Sequence, residues 1–320
     1  MTIRYSDYIR TLRRGFHEYR RTHFGDKPEL FKNYNEDEPV VWADLARDLN
    51  VMTPPCAASL REMVVRKIPR SKRHRHFGSM QSSQALVQST FGVIEAFNRF
   101  AVLANVRDEE GCLAFGPSAA AGNLTFEKQI TTLGEGPKGA TSIDVWIGGA
   151  YRVAVECKLS EASFGTCSRP GLRGADPKYC NGSYEYQGGR TTQRCSLTGA
   201  GVRYWNFAEL AFGWSPTIDH RPCPMRSPYQ LVRNVLAACV SSDGAFEENS
   251  GHALVIYDAR NPSTFRDGAC EMQWVEARSA LRLPHLLRRL SWQSFLRQLP
   301  DDDICNWLAQ ALRDKYGLVA

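Results

Sequence analysis

The chain has 320 residues, 43% of them hydrophobic, enough to fill the core of one large domain or two ordinary ones. Forty Lys and Arg against 34 Asp and Glu give a formal charge of +6, which permits a polyanionic partner without requiring one. No apolar run approaches the roughly 20 residues of a membrane-spanning helix, and the arginine-bearing start lacks the apolar segment and cleavage site of a secretory signal. With ten cysteines and no export signal, the expectation is reduced thiols or metal ligands in a cytoplasmic protein.

In chain order, residues 1–78 read as a helical, basic leader forming an accessory layer, interrupted by the stiff breaker Thr53-Pro54-Pro55. Between Arg61 and Phe77 lie seven Lys or Arg and two His against the single acid Glu62. Arg70, Lys72, Arg73 and Arg75 are the candidates there for phosphate contact, the alternative being a solvated face. His74 and His76, in the same run, suit surface or phosphate contact better than metal ligation. Ser82-Ser83 then caps a helix predicted over residues 84–103, where Leu86, Thr90, Val93, Ile94, Phe97, Ala101 and Ala104 recur at helical spacing.

Strands are predicted at 124–131, 141–147 and 151–159. Residues 160–227 follow as an insertion, poor in periodic hydrophobicity and rich in Cys, Arg and aromatics, too long for an ordinary connection. A helix is expected at 229–239, a strongly apolar strand at 253–257, and helical structure from 281 onward. The reading is an α/β (α+β) protein: a core of residues 79–159 and 228–284 with a mixed central sheet flanked by helices, the insertion, and a helical extension at 285–320.

The segment from Thr141 to Leu159 is the most informative. Ile143, Val145 and Ile147 oppose Asp144 and Trp146, while Val153, Val155, Cys157 and Leu159 oppose Ala154, Glu156 and Lys158. A three-residue loop at 149–151 sets Trp146 opposite Ala154 and Asp144 opposite Glu156. A two-residue loop sets Asp144 opposite Val155 and mixes the acid and core faces, a slip strongly penalised when one face is buried. Carboxylates directly opposed have Cβ atoms about 4.5–5.5 Å apart and repel unless a proton or cation lies between them. Hard oxygen donors favour Mg²⁺ or Mn²⁺ held by Asp144 and Glu156, and Lys158 is placed to act on an attacking water. The alternative is a hairpin whose acids are solvated and neutralised by the lysine.

Asp144 followed by Glu156-Cys157-Lys158 resembles the signature of the PD-(D/E)XK nuclease superfamily, without the Pro beside the first acid. The stretches 82–86, 155–161 and 229–234 also look like an uncharacterised bacterial branch of restriction-endonuclease-like proteins. The resemblance covers about half the chain. It implies a restriction-endonuclease-like core and a divalent-metal-dependent DNA nuclease, of endonuclease type, with a repair-type exonuclease or a nucleic-acid-binding module without turnover as alternatives. It also implies a further acid from the first helix, where Glu95 is the candidate on a face shared with Gln84, Gln88 and Phe91, and Glu127 on the first strand competes. Gln230 matches by position an accessory Gln of some branches, against a simple capping or surface role.

Cys157 should be a buried core thiol, which excludes a cysteine hydrolase. Cys167, Cys180, Cys195 and Cys223 are separated by 12, 14 and 27 residues, without close Cys-X-X-Cys pairs. They are either scattered buried thiols or a zinc or iron–sulfur staple of the kind some relatives of this nuclease class carry, with His220 able to replace one thiol. Arg169, Arg173, Lys178, Arg190, Arg194 and Arg203, interleaved with Tyr179, Tyr184, Tyr186, Tyr204 and Trp205, suit a substrate-positioning surface for nucleic acid, or an ordinary loop.

Overall fold

The computed structural model describes residues 3–33, 35–117, 119–121, 123–136, 142–173, 176, 178–186, 193–265 and 268–319. Thr141 and Arg190 lie outside the described residues. Five strands, β1 (Asn123–Gln129), β2 (Ser142–Gly148), β3 (Arg152–Cys157), β4 (Gly251–Tyr257) and β5 (Leu287–Ser291), form one mixed sheet in that order. The β1–β2 and β2–β3 pairs are antiparallel and the β3–β4 and β4–β5 pairs parallel.

Helices α1 (Tyr5–Phe24), α2 (Ala58–Arg66) and α3 (Ser83–Ala96) precede the sheet. Between β3 and β4 lie α4 (Ser196–Gly199), α5 (Tyr204–Phe212) and α6 (Tyr229–Cys239), and α7 (Ala269–Ala280), α8 (Trp292–Arg297) and α9 (Asp303–Tyr316) complete the chain. The Ser82 side chain accepts from the Ala85 N–H, so α3 starts where its cap predicts. It ends at Ala96, seven residues before the expected limit, and gives way to a 3₁₀ turn at Phe100–Asn105.

The alternation of the strands becomes two cores. Val145, Ile147, Val153, Val155 and Cys157 pack beneath α3 in a cluster that also takes in Tyr8, Leu12 and Phe16 of α1 and Leu308 and Leu312 of α9. The leader, expected as an accessory layer, therefore shares the main core. On the other face, Ala154, Ala253 and Val255 pack against α5, α6 and α7. Within the insertion, Tyr204, Phe207, Ala208, Ala211 and Phe212 join that second core, so residues 160–227 are anchored more by hydrophobic burial than their sequence suggests. The region after 281, expected to be helical throughout, supplies β5. Its sequence Leu-Arg-Arg-Leu-Ser carries charges suited to a sheet edge, where Arg289 pairs with Glu109 and Glu271 at 2.8 and 2.7 Å.

Candidate active site

The hairpin adopts the three-residue register. Val145, Trp146 and Ile147 pair with Val155, Ala154 and Val153, and the loop turns at Gly149 with φ 141°, a conformation that glycine adopts without strain. The ladder ends at the Val145–Val155 pair, with Asp144 and Glu156 the next residues along the two strands, and Ile143, expected on the face of Val145 and Ile147, packs in the second core. Asp144 Oδ2 accepts the Cys157 backbone N–H at 2.7 Å, fixing its carboxylate against β3. Cys157 is buried in the core, and burial, followed by the charges of Asp144 and Glu156, pushes its thiol well above the usual range. It is no nucleophile in this state.

Glu156 is buried and divides its oxygens: Lys158 Nζ lies 2.7 Å from Oε1, and Asn234 Nδ2 donates to Oε2 at 3.2 Å. Lys158 also donates to Gln230 Oε1 at 3.3 Å. Burial works against the ammonium, but Glu156, Glu161 and Asp144 outweigh it and raise the lysine's pKa, so Lys158 is a cation here. Asp144 moves the opposite way. Enclosure of its carboxyl and the charges of Glu156 and Glu127 lift it well above the ordinary range, more than Lys158 and the Cys157 N–H pull it down. Such an acid holds either a proton or a neighbouring cation.

Glu127 lies on β1 between the Phe126–Val145 and Lys128–Ile143 pairs, at the position across from Asp144. Gln84 Nε2 donates to its Oε1 at 2.5 Å and the Ser142 hydroxyl donates to Oε2. Burial raises its carboxyl too, with Glu156 adding to the effect. Glu95 is not brought here. It pairs with Lys67 at 2.8 Å, because α3 carries its C-terminal turn toward the end of α2. Gln88 donates to the Val64 and Val65 carbonyls and Phe91 sits in the core, so of the polar stripe on α3 only Gln84 reaches the acids. Among the described residues, no three His, Cys, Asp or Glu side chains are gathered to hold a metal ion by themselves.

Asn234 and Glu161 were not singled out from sequence. Gln230 and Asn234, one turn apart on α6, share the face over β3, a spacing that was available as a signal. Glu161 accepts the Leu159 N–H and the Ser83 hydroxyl, both at 2.7 Å, tying the exit of β3 to the start of α3. Of the basic run, Arg70 and Arg73 both pair with Asp48, and Arg73 also donates to the Val65 carbonyl at 2.8 Å. Lys72 donates to the Glu127 carbonyl at 3.5 Å, whereas Arg75 is exposed and contacts His76. The run is therefore partly internal bracing.

A mixed sheet with two facing acids and a lysine defines an α+β protein with a carboxylate–ammonium site. The family follows from the sequence as a whole: residues 16–317 match the family described as restriction endonuclease associating with ARP, and the chain belongs to it. No curated protein and no solved structure matches the chain. The family's name indicates a nuclease, a phosphodiester hydrolase with DNA as substrate. No helix among the described residues is long and apolar enough to cross a membrane.

Proposed function

We propose that the chain is a divalent-metal-dependent DNA endonuclease whose site consists of Asp144, Glu156 and Lys158, with Glu127 beside them. The observation that supports this most is Asp144 tied by its carboxylate to the Cys157 N–H, its carboxyl lifted by burial and by the neighbouring Glu156 and Glu127, beside the buried Lys158 ammonium paired with Glu156. The donor set fits Mg²⁺ or Mn²⁺, which bind through one or two carboxylates and leave the remaining positions to water and phosphate oxygens. Asp144 and Glu156 would hold the cation, which would supply Lewis acidity to the scissile phosphate and the attacking water.

The chain's own groups do the positioning. Lys158, kept protonated by Glu156, stabilises negative charge developing on phosphate and orients the water. Gln230 and Asn234 hold the lysine and the glutamate from α6, so neither long side chain has to find its place when substrate arrives. The Cys157 N–H keeps Asp144 aimed at β3.

Closed-circular plasmid incubated with wild type, Asp144→Ala and Lys158→Ala, with and without Mg²⁺, tests the proposal. Nicked or linear product should form only with wild type and Mg²⁺. Cleavage retained by either folded variant removes the assignment, and cutting confined to linear ends replaces the endonuclease with an exonuclease.

A further inference from the structure

Cys167, Cys180, Cys195 and Cys223 come from four separate segments of the insertion, yet all four line one small cavity. None is in a disulfide. Backbone hydrogen bonds lock three of their segments together: the Cys167 N–H donates to the Arg226 carbonyl and the Cys223 N–H to the Gly182 carbonyl, both at 2.9 Å. A further bridge pairs Tyr184 with His220, both N–H to carbonyl distances being 2.9 Å. His220 is thereby held by its backbone, and its Nε2 lies 2.9 Å from the Ser215 carbonyl, so it does not replace a thiol.

Three of the sulfurs share a second feature. The backbone N–H two residues further on is directed at each: Gly182 at Cys180, with a distance of 3.3 Å, Arg169 at Cys167, and Met225 at Cys223. Gly182 has φ 88°, a left-handed conformation that glycine adopts without strain. Donors of this kind stabilise a thiolate and have little to offer a neutral thiol. Arg169 and Arg226 stand beside Cys167 and Cys180 and favour the same charge. Leu197, Val202, Trp205 and Met225 give the rest of the wall an apolar part, beside Ser183, Ser196 and Thr198.

The four cysteines line one cavity, yet among the described residues no three Cys, His, Asp or Glu side chains are gathered closely enough to hold a single ion. A tetrahedral zinc with Zn–S bonds of about 2.3 Å needs its thiolates nearly in contact. A cluster of several irons bridged by sulfide spans a wider ring of four cysteines.

We infer that Cys167, Cys180, Cys195 and Cys223 bind a [4Fe–4S] cluster that fastens the segments of the insertion to one another. Each thiol loses its proton to solvent and forms one iron–sulfur bond, the iron and sulfide being supplied by cluster assembly. The cluster site shares no residue with the acid site, so it stands apart from whether the chain cuts DNA.

The full chain, purified without oxygen or reconstituted with ferrous iron and sulfide, should be brown and carry about four iron and four sulfide per chain. Cys195→Ala and Cys223→Ala should lose the visible absorption and their iron. Cys112→Ala, at an exposed site elsewhere, should keep both, and so should Lys158→Ala even where nuclease activity is abolished or was never present. About one zinc per chain without iron overturns the cluster, as does a wild type that takes up neither metal or a Cys195→Ala protein that loads as fully as wild type.

Discussion

Glu127 stands across from Asp144 at the one point in β1 where the backbone turns left-handed, with φ 49°. A non-glycine residue pays about 1–2 kcal/mol for that conformation, and such strain is retained where the surroundings hold it in place. Here the holders are Gln84 and Ser142, both bound to the carboxylate. Glu127→Gln should reduce Mg²⁺-dependent cleavage about 10–100-fold without unfolding the protein, as loss of a supporting group at a metal site does. Glu95→Gln should leave cleavage unchanged, since Glu95 is committed to Lys67. The reverse ranking in a plasmid assay returns the third acid to α3.

Asp144 titrates against stability. Its pKa is raised in the folded chain, so the folded state binds the proton more tightly, and stability falls as pH rises above the unfolded value near 3.8. At neutral pH a bound cation should relieve this. At tenfold its dissociation constant, Mg²⁺ stabilises by about 1.4 kcal/mol, or about 2–4 °C in melting temperature. Asp144→Asn should raise the melting temperature without Mg²⁺ and abolish the response to it. An equal Mg²⁺ shift in both proteins moves the cation elsewhere.

How much of this was legible depended on range. The three-residue register that pairs Val145, Trp146 and Ile147 with Val155, Ala154 and Val153 followed from alternation and a glycine turn, both local, and the helix at 229–239 matched its periodicity residue for residue. Glu127 was visible only as a competitor, because nothing in Thr-Phe-Glu-Lys announces a left-handed residue where glycine or asparagine is the usual signal. Glu95 had helical spacing in its favour, but spacing does not reveal that α2 brings Lys67 to meet it. β5 was missed because two arginines among its five residues hide an edge strand. The convergence of four cysteines across 57 positions depends on backbone ties between loops that no short pattern encodes.

Lys315 gives a pH signature far from the acids. It is buried in α9, donates to the Asn50 backbone oxygen and Oδ1 at 2.5 and 2.8 Å, and is pushed by burial down to about 7. The unfolded chain keeps this proton up to about 10.5, so between pH 7 and 10.5 it binds more protons and stability rises with pH. The slope is about 1.4 kcal/mol per pH unit. Denaturant unfolding of wild type and Lys315→Met across pH 7–10 should show the wild type gaining on the variant at that rate. A pH-independent difference means the amine titrates normally.

Tyr8 ties the leader to the strand that carries the lysine. Its hydroxyl lies 2.7 Å from the Leu159 carbonyl and 3.0 Å from Asp258 Oδ2, and all three are buried. Tyr8→Phe should cost about 1–2 kcal/mol in denaturant unfolding, because Asp258 and Leu159 lose a donor without gaining water. Deleting residues 1–24 should do far more, because it removes Tyr8, Leu12 and Phe16 from the main core and exposes the α9 surface they cover. A truncated chain that unfolds at the same denaturant concentration as the whole one makes the leader dispensable.

Lys158 Nζ donates to Gln230, although some seventy residues separate them. The insertion leaves the sheet just after the one and returns to the fold just before the other, so both of its roots meet at a single ammonium. Any force on that excursion, from a partner gripping it or a fastener within it giving way, reaches Lys158 by two routes, one along the backbone and one through the Gln230 hydrogen bond. The lysine is thus the hub at which remote handling of the loop becomes a change in local charge placement, with Gln230 as the one side chain between them.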